Sequence, residues 1–387
     1  MIDLKPGKLA ASADSLLDAA RTAAGLGDFG AEDFYEGYVR LLAAYDASED
    51  LSVAGLGAAL DQLQLFLRAR LRAVEGWKQR KGAPPRLLAA PLVITGLPRS
   101  GTTALHKVLS MDSQFQGLEH WIAAAPTPRP PRSLWAAQAG YRDARELLAR
   151  QSEIATEMVS EHGMAVEDVE ETYYVLAQSF CANHFAVQTP LPAYDAWYQA
   201  QDVGFTYEHV RRVLALIGAD DARTWLLKNP SDAFDIDALL AVFPDARIVQ
   251  THRDPLQALP SLLNVLRGQF RLFLKPEFSL GGPMRREAGY WAEAMRRMEA
   301  ARRRHPGQFC DVYFGRFVHD QLSAVAHIYE TFSLTLSAES EQAMRRWLTE
   351  NPRQSTAMQR FTPEDFGMRT GDLLAMFEGY RQRHDFA

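Results

Sequence analysis

The sequence predicts an α/β fold: a parallel sheet flanked by helices, with a helical extension at its N-terminus and a helical cover inserted into the sheet domain. Three observations carry this prediction. Residues 92–109, LVITGLPRSGTTALHKVL, pass from a short apolar run through a glycine loop into helical spacing. Two later runs of strand length, TWLLK at 224–228 and ARIVQT at 246–251, each lead into a helical pattern. All three runs end in a cation or in a turn that carries one.

Residues 1–85 form the extension. Phe34, Tyr38, Leu41 and Leu42 recur at i, i+4, i+7 and i+8, and Leu60, Leu63, Phe66, Leu67 and Leu71 make a second apolar stripe. No residue constellation there points to chemistry, so its expected role is packing on the main domain, 86–387. The proline-rich KGAPPRLLAAP at 81–91 is the entry to the first strand.

That strand opens the stretch with the most chemical content. Gly96 and Gly101 bracket the loop GLPRSGTT, and Leu105, Val108 and Leu109 follow at helical spacing. Such a loop turns backbone N–H groups and a helix N-terminus toward one point, which favours an anion. A P-loop of nucleotide hydrolases, GxxxxGK[ST], would place Lys at 102, where this chain has Thr102. The nearest cation is Arg99, inside the loop, and an arginine can fork two donors onto one phosphate or sulfonate. Thr103 occupies the position of a magnesium ligand, which alone argues little for a metal.

DSQFQGLEHW at 112–121 and the proline cluster PTPRPPR at 126–132 come next. Residues 133–223 are helical in pattern and rich in Trp, Tyr, Met and Phe; this insertion, about 120–223, is the expected substrate cover. After TWLLK, Asn229-Pro230 breaks the strand and Ser231 is the expected cap of a helix with the body AFDIDALLAVF. After ARIVQT comes His252-Arg253-Asp254-Pro255, with Asp254 suited to cap a helix and Pro255 to its first turn. That helix turns Leu259, Leu262, Leu263 and Leu266 inward. The seven arginines between 285 and 304 alternate with Glu287, Glu293 and Glu299, the pattern of a solvated helix. DVYFGRF at 311–317 is a further candidate strand.

Strands alternating with helices imply a parallel sheet whose ligands bind beyond the carboxyl ends of the strands. Arg99, Lys228 and Arg253 all follow strand ends, so they are expected to converge on one crevice.

Composition narrows the classes of partner. Of 387 residues, 47% are hydrophobic and 23% charged, ordinary for a globular chain, and the net charge of −6 gives no field to attract nucleic acid. Cys181 and Cys310 are too few for a disulfide framework or a zinc set. The first 23 residues lack the apolar core of a secretory leader, and no run of about 18 apolar residues spans a membrane. The expected compartment is the cytoplasm. Oligomeric state is not readable from these features.

With these residues in place, the chain resembles the sulfotransferases that use 3′-phosphoadenosine 5′-phosphosulfate (PAPS), in particular a bacterial branch with an added N-terminal helical region. GLPRSGTT matches the 5′-phosphosulfate loop of that family, RIVQTHRDPLQALPS is similar to its 3′-phosphate segment, and LLKNP to its strand-end lysine. The order of the three agrees, and FPDARIV and PEDFG are similar to the bacterial branch.

The aromatic and Met-containing stretch 133–223 suggests an apolar pocket for a small acceptor alcohol or phenol, and the resemblance implies PAPS as co-substrate and no metal. It implies that Arg99, Ser100, Gly101, Thr102 and Thr103 hold the 5′-phosphosulfate, that Lys228 stabilises the bridging oxygen, and that Arg253 and Ser261 read the 3′-phosphate. Arg360 is the nearest fit to a further basic residue beside the nucleotide. Where many members carry a catalytic histidine shortly after the strand-end lysine, this chain has Asp232. Other members place a glutamate about 20 residues beyond the loop cation; here that is Glu119, with His120 beside it. Glu119 is the first candidate base, His120 the second and Asp232 the third. Two other functions stay open: a P-loop nucleotide kinase or hydrolase with an altered loop, and a non-catalytic nucleotide-binding protein that lost its base.

Overall fold

The computed structural model describes residues 8–80, 88, 90–154, 165–352 and 361–386. Contacts divide the chain into two compact units. One comprises Met1–Leu88, Leu118–Ala222 and Gly268–Phe278, the other Ala89–Gly117, Arg223–Arg267 and Ser279–Ala387.

The first unit is helical. Helices α1 (Ala13–Ala24), α2 (Tyr35–Ala47) and α3 (Val53–Gln79) carry the two apolar stripes, and Tyr38, Leu41, Leu42, Leu63, Phe66, Leu67 and Leu71 are all at most 1% exposed. Arg70 of α3 is buried yet satisfied: it donates to the carbonyls of Phe29 and Ala31 and pairs with Asp33 at 2.7 Å. The aromatic residues of the insertion supply much of this unit's core. Phe180 meets the rings of Phe34 and Tyr38, and Phe185 those of Phe66 and Tyr194.

The second unit is built on five parallel strands in the order β2-β3-β1-β4-β5. In chain order, β1 (Leu92–Gly96) leads through the glycine loop to α4 (Thr102–Leu109) and β2 (Phe115–Gln116). The chain then passes through α5 (His120–Ala124), α6 (Ala139–Ile154), α7 (Tyr173–Leu176), α8 (Asn183–Gln188), α9 (Pro192–Gln199) and α10 (Gly204–Ile217) of the first unit. It returns as β3 (Thr224–Lys228), α11 (Ile236–Val242), β4 (Arg247–His252) and α12 (Pro255–Phe273). The remaining elements are α13 (Gly281–Arg304), β5 (Phe309–Tyr313), α14 (Phe314–His319), α15 (Gln321–Thr331), α16 (Ala338–Glu350), α17 (Thr370–Met376) and α18 (Glu378–Arg383).

Every residue of β1 is buried, as a central parallel strand covered on both faces requires. Leu92, Ile94, Leu226, Val249 and Cys310 of the sheet pack with Leu105, Val108 and Leu109 of α4 and with Val325 and Ile328 of α15.

Two local expectations need correction. The strand expected at 311–317 runs instead over Phe309–Tyr313, and Phe314 begins a helix whose Phe317 enters the core. Spaced aromatics around Gly315 imitate strand alternation but serve a helical turn. The cap after β3 is Asn229, whose side chain accepts from the Ser231 N–H, and the helix proper starts at Ile236. Strand β2 was not anticipated, since two residues carry no periodicity. Asp254 does cap α12, accepting from the Leu256 N–H, and Leu259, Leu262, Leu263 and Leu266 are buried.

Candidate active site

The carboxyl ends of β3, β1 and β4 are neighbours, because β1 lies between the other two. Register places Ile94 opposite Lys228 on one side and Gly96 opposite Thr251 on the other. The residues after these strand ends are therefore delivered to one edge of the sheet, in the second unit.

The glycine loop is held by specific contacts. Gly96 has φ +132°, and a Cβ there would lie 2.4 Å from the Thr251 carbonyl oxygen, so this glycine serves the close approach of β4. Gly101 has φ +92° and is the residue from which α4 departs. The Ser100 hydroxyl is buried, bonded to the Leu97 carbonyl and, at 2.6 Å, to Thr251 Oγ1, so it is committed inside the fold. Arg99 is exposed and has φ +65°, a left-handed conformation that costs a non-glycine residue about 1 kcal/mol and that recurs at ligand-holding positions.

Around this loop the predicted cations and hydroxyls come together. Arg253 is 8% exposed; its Nη1 donates to the Arg99 carbonyl at 2.7 Å and its guanidinium lies 4.3 Å from the Phe314 ring centroid. Arg99 Nε donates to Ser261 Oγ at 3.2 Å. Lys228 is 3% exposed, with its Nζ 3.4 Å from the Thr103 hydroxyl. Thr102 and Thr103 form the first turn of α4, where backbone N–H groups lack intrahelical partners. The acid nearest in sequence, Asp254, is paired with Arg381 at 3.2 Å. Arginine, lysine, hydroxyl and helix N-terminus together fit a ligand with several anionic groups.

Asp232 also belongs to this unit. It is buried, and Asn229 Nδ2 donates to its Oδ1 at 2.8 Å. Glu119 and His120 belong to the first unit, at the start of α5. Glu119 pairs with Arg129 at 3.0 Å, and Arg129 also reaches Asp221 at 3.4 Å. His120 is 3% exposed, burial pushes its imidazole down to about 4, and its Nδ1 has no hydrogen-bond partner among the described residues. His120 borders a cavity of about 310 Å³ whose walls include Arg68, Arg72 and Asp143, too charged to suit an apolar molecule. Arg360 lies outside the described residues.

Sequence reasoning missed His106, one turn along α4. Burial and the Lys228 charge push its imidazole down to about 3, and its ring bonds the Leu226 carbonyl. Its i+4 spacing from Thr102 was a usable signal. It missed Phe314 and Tyr380 as well, which meet Arg253 only through the tertiary fold.

Comparison with known proteins gives the family and the fold. A model of the sulfotransferase family matches residues 91–338. The solved structure of sulfotransferase STF1 from Mycobacterium tuberculosis H37Rv is similar with 33% identity and a TM-score of 0.82, over 96% of this chain and 100% of that one. That of sulfotransferase STF9 from Mycobacterium avium has 26% identity and a TM-score of 0.88, over 96% of each chain. Among curated proteins, the omega-hydroxy-beta-dihydromenaquinone-9 sulfotransferase Stf3 of Mycobacterium bovis is 20% identical over 263 residues. That match spans 66% of this chain and 66% of the relative's length.

Proposed function

The chain belongs to the sulfotransferase family, a family of group-transfer enzymes, and we propose that it moves a sulfuryl group from PAPS to the hydroxyl of a small, apolar acceptor. The observation that carries this reading is the linked set at the sheet edge: Arg253 on the Arg99 carbonyl, Arg99 on Ser261, and Lys228 beside Thr103. PAPS bears anionic groups at both its 5′ and 3′ positions, and a site with two arginines and a lysine suits it.

In this reading the first-turn N–H groups of α4, the Arg99 guanidinium and the hydroxyls of Thr102 and Thr103 hold the 5′-phosphosulfate. Arg253 and Ser261 hold the 3′-phosphate. Arg360 is proposed as a further basic contact. The acceptor oxygen bonds to sulfur as the bond from sulfur to the 5′-phosphate oxygen breaks. Lys228 neutralises the charge that builds on that oxygen, and a side-chain base takes the acceptor's proton. Alignment and charge neutralisation are most of what such a transfer asks of a protein. Glu119 is proposed as the proton acceptor because it stands where the resemblance puts the glutamate base of other members, with His120 and then Asp232 as the other candidates. No step requires a metal.

An apolar alcohol as acceptor is supported by the name of Stf3, which specifies a hydroxylated dihydromenaquinone. A reducing, cytoplasmic setting is proposed, in keeping with burial of both cysteines, Cys181 and Cys310. Among the described residues no helix is long and apolar enough to cross a membrane.

The test is thermal unfolding with 3′-phosphoadenosine 5′-phosphate, AMP or Mg-ATP. A ligand at 100 times its dissociation constant stabilises by about 2.7 kcal/mol, a shift of a few degrees. The bisphosphate is expected to shift the transition most. A shift with Mg-ATP alone would favour a kinase, and no shift with any of the three a non-catalytic protein.

A further inference from the structure

We propose that the C-terminal helix α18 pins the turn that presents Arg253, with Tyr380 as the positioning residue for the 3′-phosphate contact. The inference rests on the reading above that Arg253 meets that phosphate. Three successive residues of the turn are held by α18. His252 Nδ1 lies 3.0 Å from the Tyr380 hydroxyl. The backbone of Arg253 hydrogen-bonds the same hydroxyl. The Asp254 carboxylate accepts from Arg381 Nε at 3.2 Å.

The donor and acceptor roles along this chain of bonds are mutually determined. Arg302 pairs with Asp311, so the Asp311 carboxylate accepts from His252 Nε2 at 3.0 Å. Burial raises the Asp311 carboxyl, but His252 and Arg302 outweigh it and hold it at about 2. Burial pushes His252 down to about 4, so its ring is neutral and Nδ1 is an acceptor. Nδ1 then takes the Tyr380 O–H, and the Tyr380 oxygen accepts the Arg253 N–H. Every link is filled, and His252 is fully buried. A second layer locks the ring of His252: it stacks 4.0 Å from His384, whose Nδ1 lies 3.1 Å from the Tyr313 hydroxyl.

The consequence is positional. The Arg253 side chain spans from its pinned backbone to the Arg99 carbonyl, with Phe314 against its guanidinium. Releasing the backbone end lets the guanidinium swing away from the site of the 3′-phosphate, while the 5′ loop loses only the bond to the Arg99 carbonyl and keeps those of Ser100 to Leu97 and Thr251.

The experiment is calorimetric titration of the 387-residue chain and three variants, Tyr380→Phe, Arg253→Ala and their combination. The probes are 3′-phosphoadenosine 5′-phosphate and AMP. Tyr380→Phe keeps the ring and removes the hydroxyl, which is expected to lower the preference for the bisphosphate about five- to tenfold, with AMP affinity falling much less than that of the bisphosphate. In the Arg253→Ala background the same change is expected to have no further effect, a coupling that a merely structural tyrosine would not give. An unchanged preference in Tyr380→Phe, or equal losses in both backgrounds, overturns the proposal. Should Tyr380→Phe fold poorly, Arg381→Gln releases the turn at Asp254, and with it the Phe386 carbonyl, while the Tyr380 hydroxyl stays in place. It is expected to lower the preference about threefold, and its failure to do so overturns the proposal. If the unaltered chain shows no preference for the bisphosphate, the reading of Arg253 itself falls, and this inference with it.

Discussion

The Arg253 guanidinium donates to the backbone carbonyl of Arg99 at 2.7 Å, across 154 residues of chain. One arginine thereby shapes the loop that carries the other, so the two proposed phosphate positions are coupled. Arg253→Ala should lower affinity for a 3′-phosphorylated nucleotide about 10- to 100-fold, the range for a charged hydrogen bond. Binding of AMP should fall less, by only the loss of loop restraint. Titration of both nucleotides checks this, and equal losses would place the 3′-phosphate elsewhere.

Lys228 calls for a different signature. Lys228→Met keeps the volume at a buried position and removes the charge, so turnover should fall about 10²- to 10³-fold with nucleotide affinity changed little. The same variant should move His106. Burial holds that imidazole at about 3 with help from Lys228, so losing the lysine raises its titration midpoint. Single-turnover kinetics and the His106 ring resonances provide the two readouts.

Glu119 has a structural partner in Arg129, and any loss on mutation must be separated from loss of that ion pair. Glu119→Gln should lower turnover about 10²- to 10⁴-fold if the carboxylate takes the acceptor's proton. Arg129→Met breaks the same ion pair and keeps the carboxylate. Matching losses in the two variants would assign Glu119 to structure and move attention to His120.

Stability should fall steeply between pH 6.5 and 4. Burial holds His106 at about 3 and His120, His184 and His252 at about 4, against 6.5 for the free side chain. In that window the unfolded chain binds protons that the native chain refuses, so stability drops as pH falls. Each such histidine contributes up to about 1.4 kcal/mol per pH unit. Asp311, held at about 2, withdraws its own stabilisation only below about pH 4. Urea midpoints measured across this range test the slope.

Gly96 and Gly101 should respond differently to alanine. At Gly96 a Cβ meets the Thr251 backbone at 2.4 Å, so the sheet must part and the loss should reach about 3 kcal/mol or more. At Gly101 the nearest atoms are the Phe317 and Phe314 rings at 3.1 and 3.3 Å, and the φ of +92° adds strain, for a loss of about 1–2 kcal/mol. Chemical denaturation ranks the two, and the reverse order would contradict the assignment of Gly96 to strand packing.

The sequence by itself determined the secondary elements that carry the site. An apolar β-branched run before a glycine loop, a strand-end lysine and a strand-end arginine are local patterns, and local sterics and burial dictate what they form. LVITG, TWLLK and RIVQTH became β1, β3 and β4, and Asp254-Pro255 began a helix, as their chemistry requires. Element boundaries were less legible where two local signals compete. Asn229 took the cap from Ser231, and Phe314 left its strand, because hydrogen bonding and core packing settled each choice.

The tertiary structure alone decided which of these residues touch. That Arg99 meets Ser261, that Lys228 lies by Thr103, and that Tyr380 secures the turn of Arg253 depend on β1 standing between β3 and β4 and on where the last helix returns. Contacts across 125 to 162 residues leave no periodic trace along the chain, because periodicity records the face that a segment buries and not the partner it buries against.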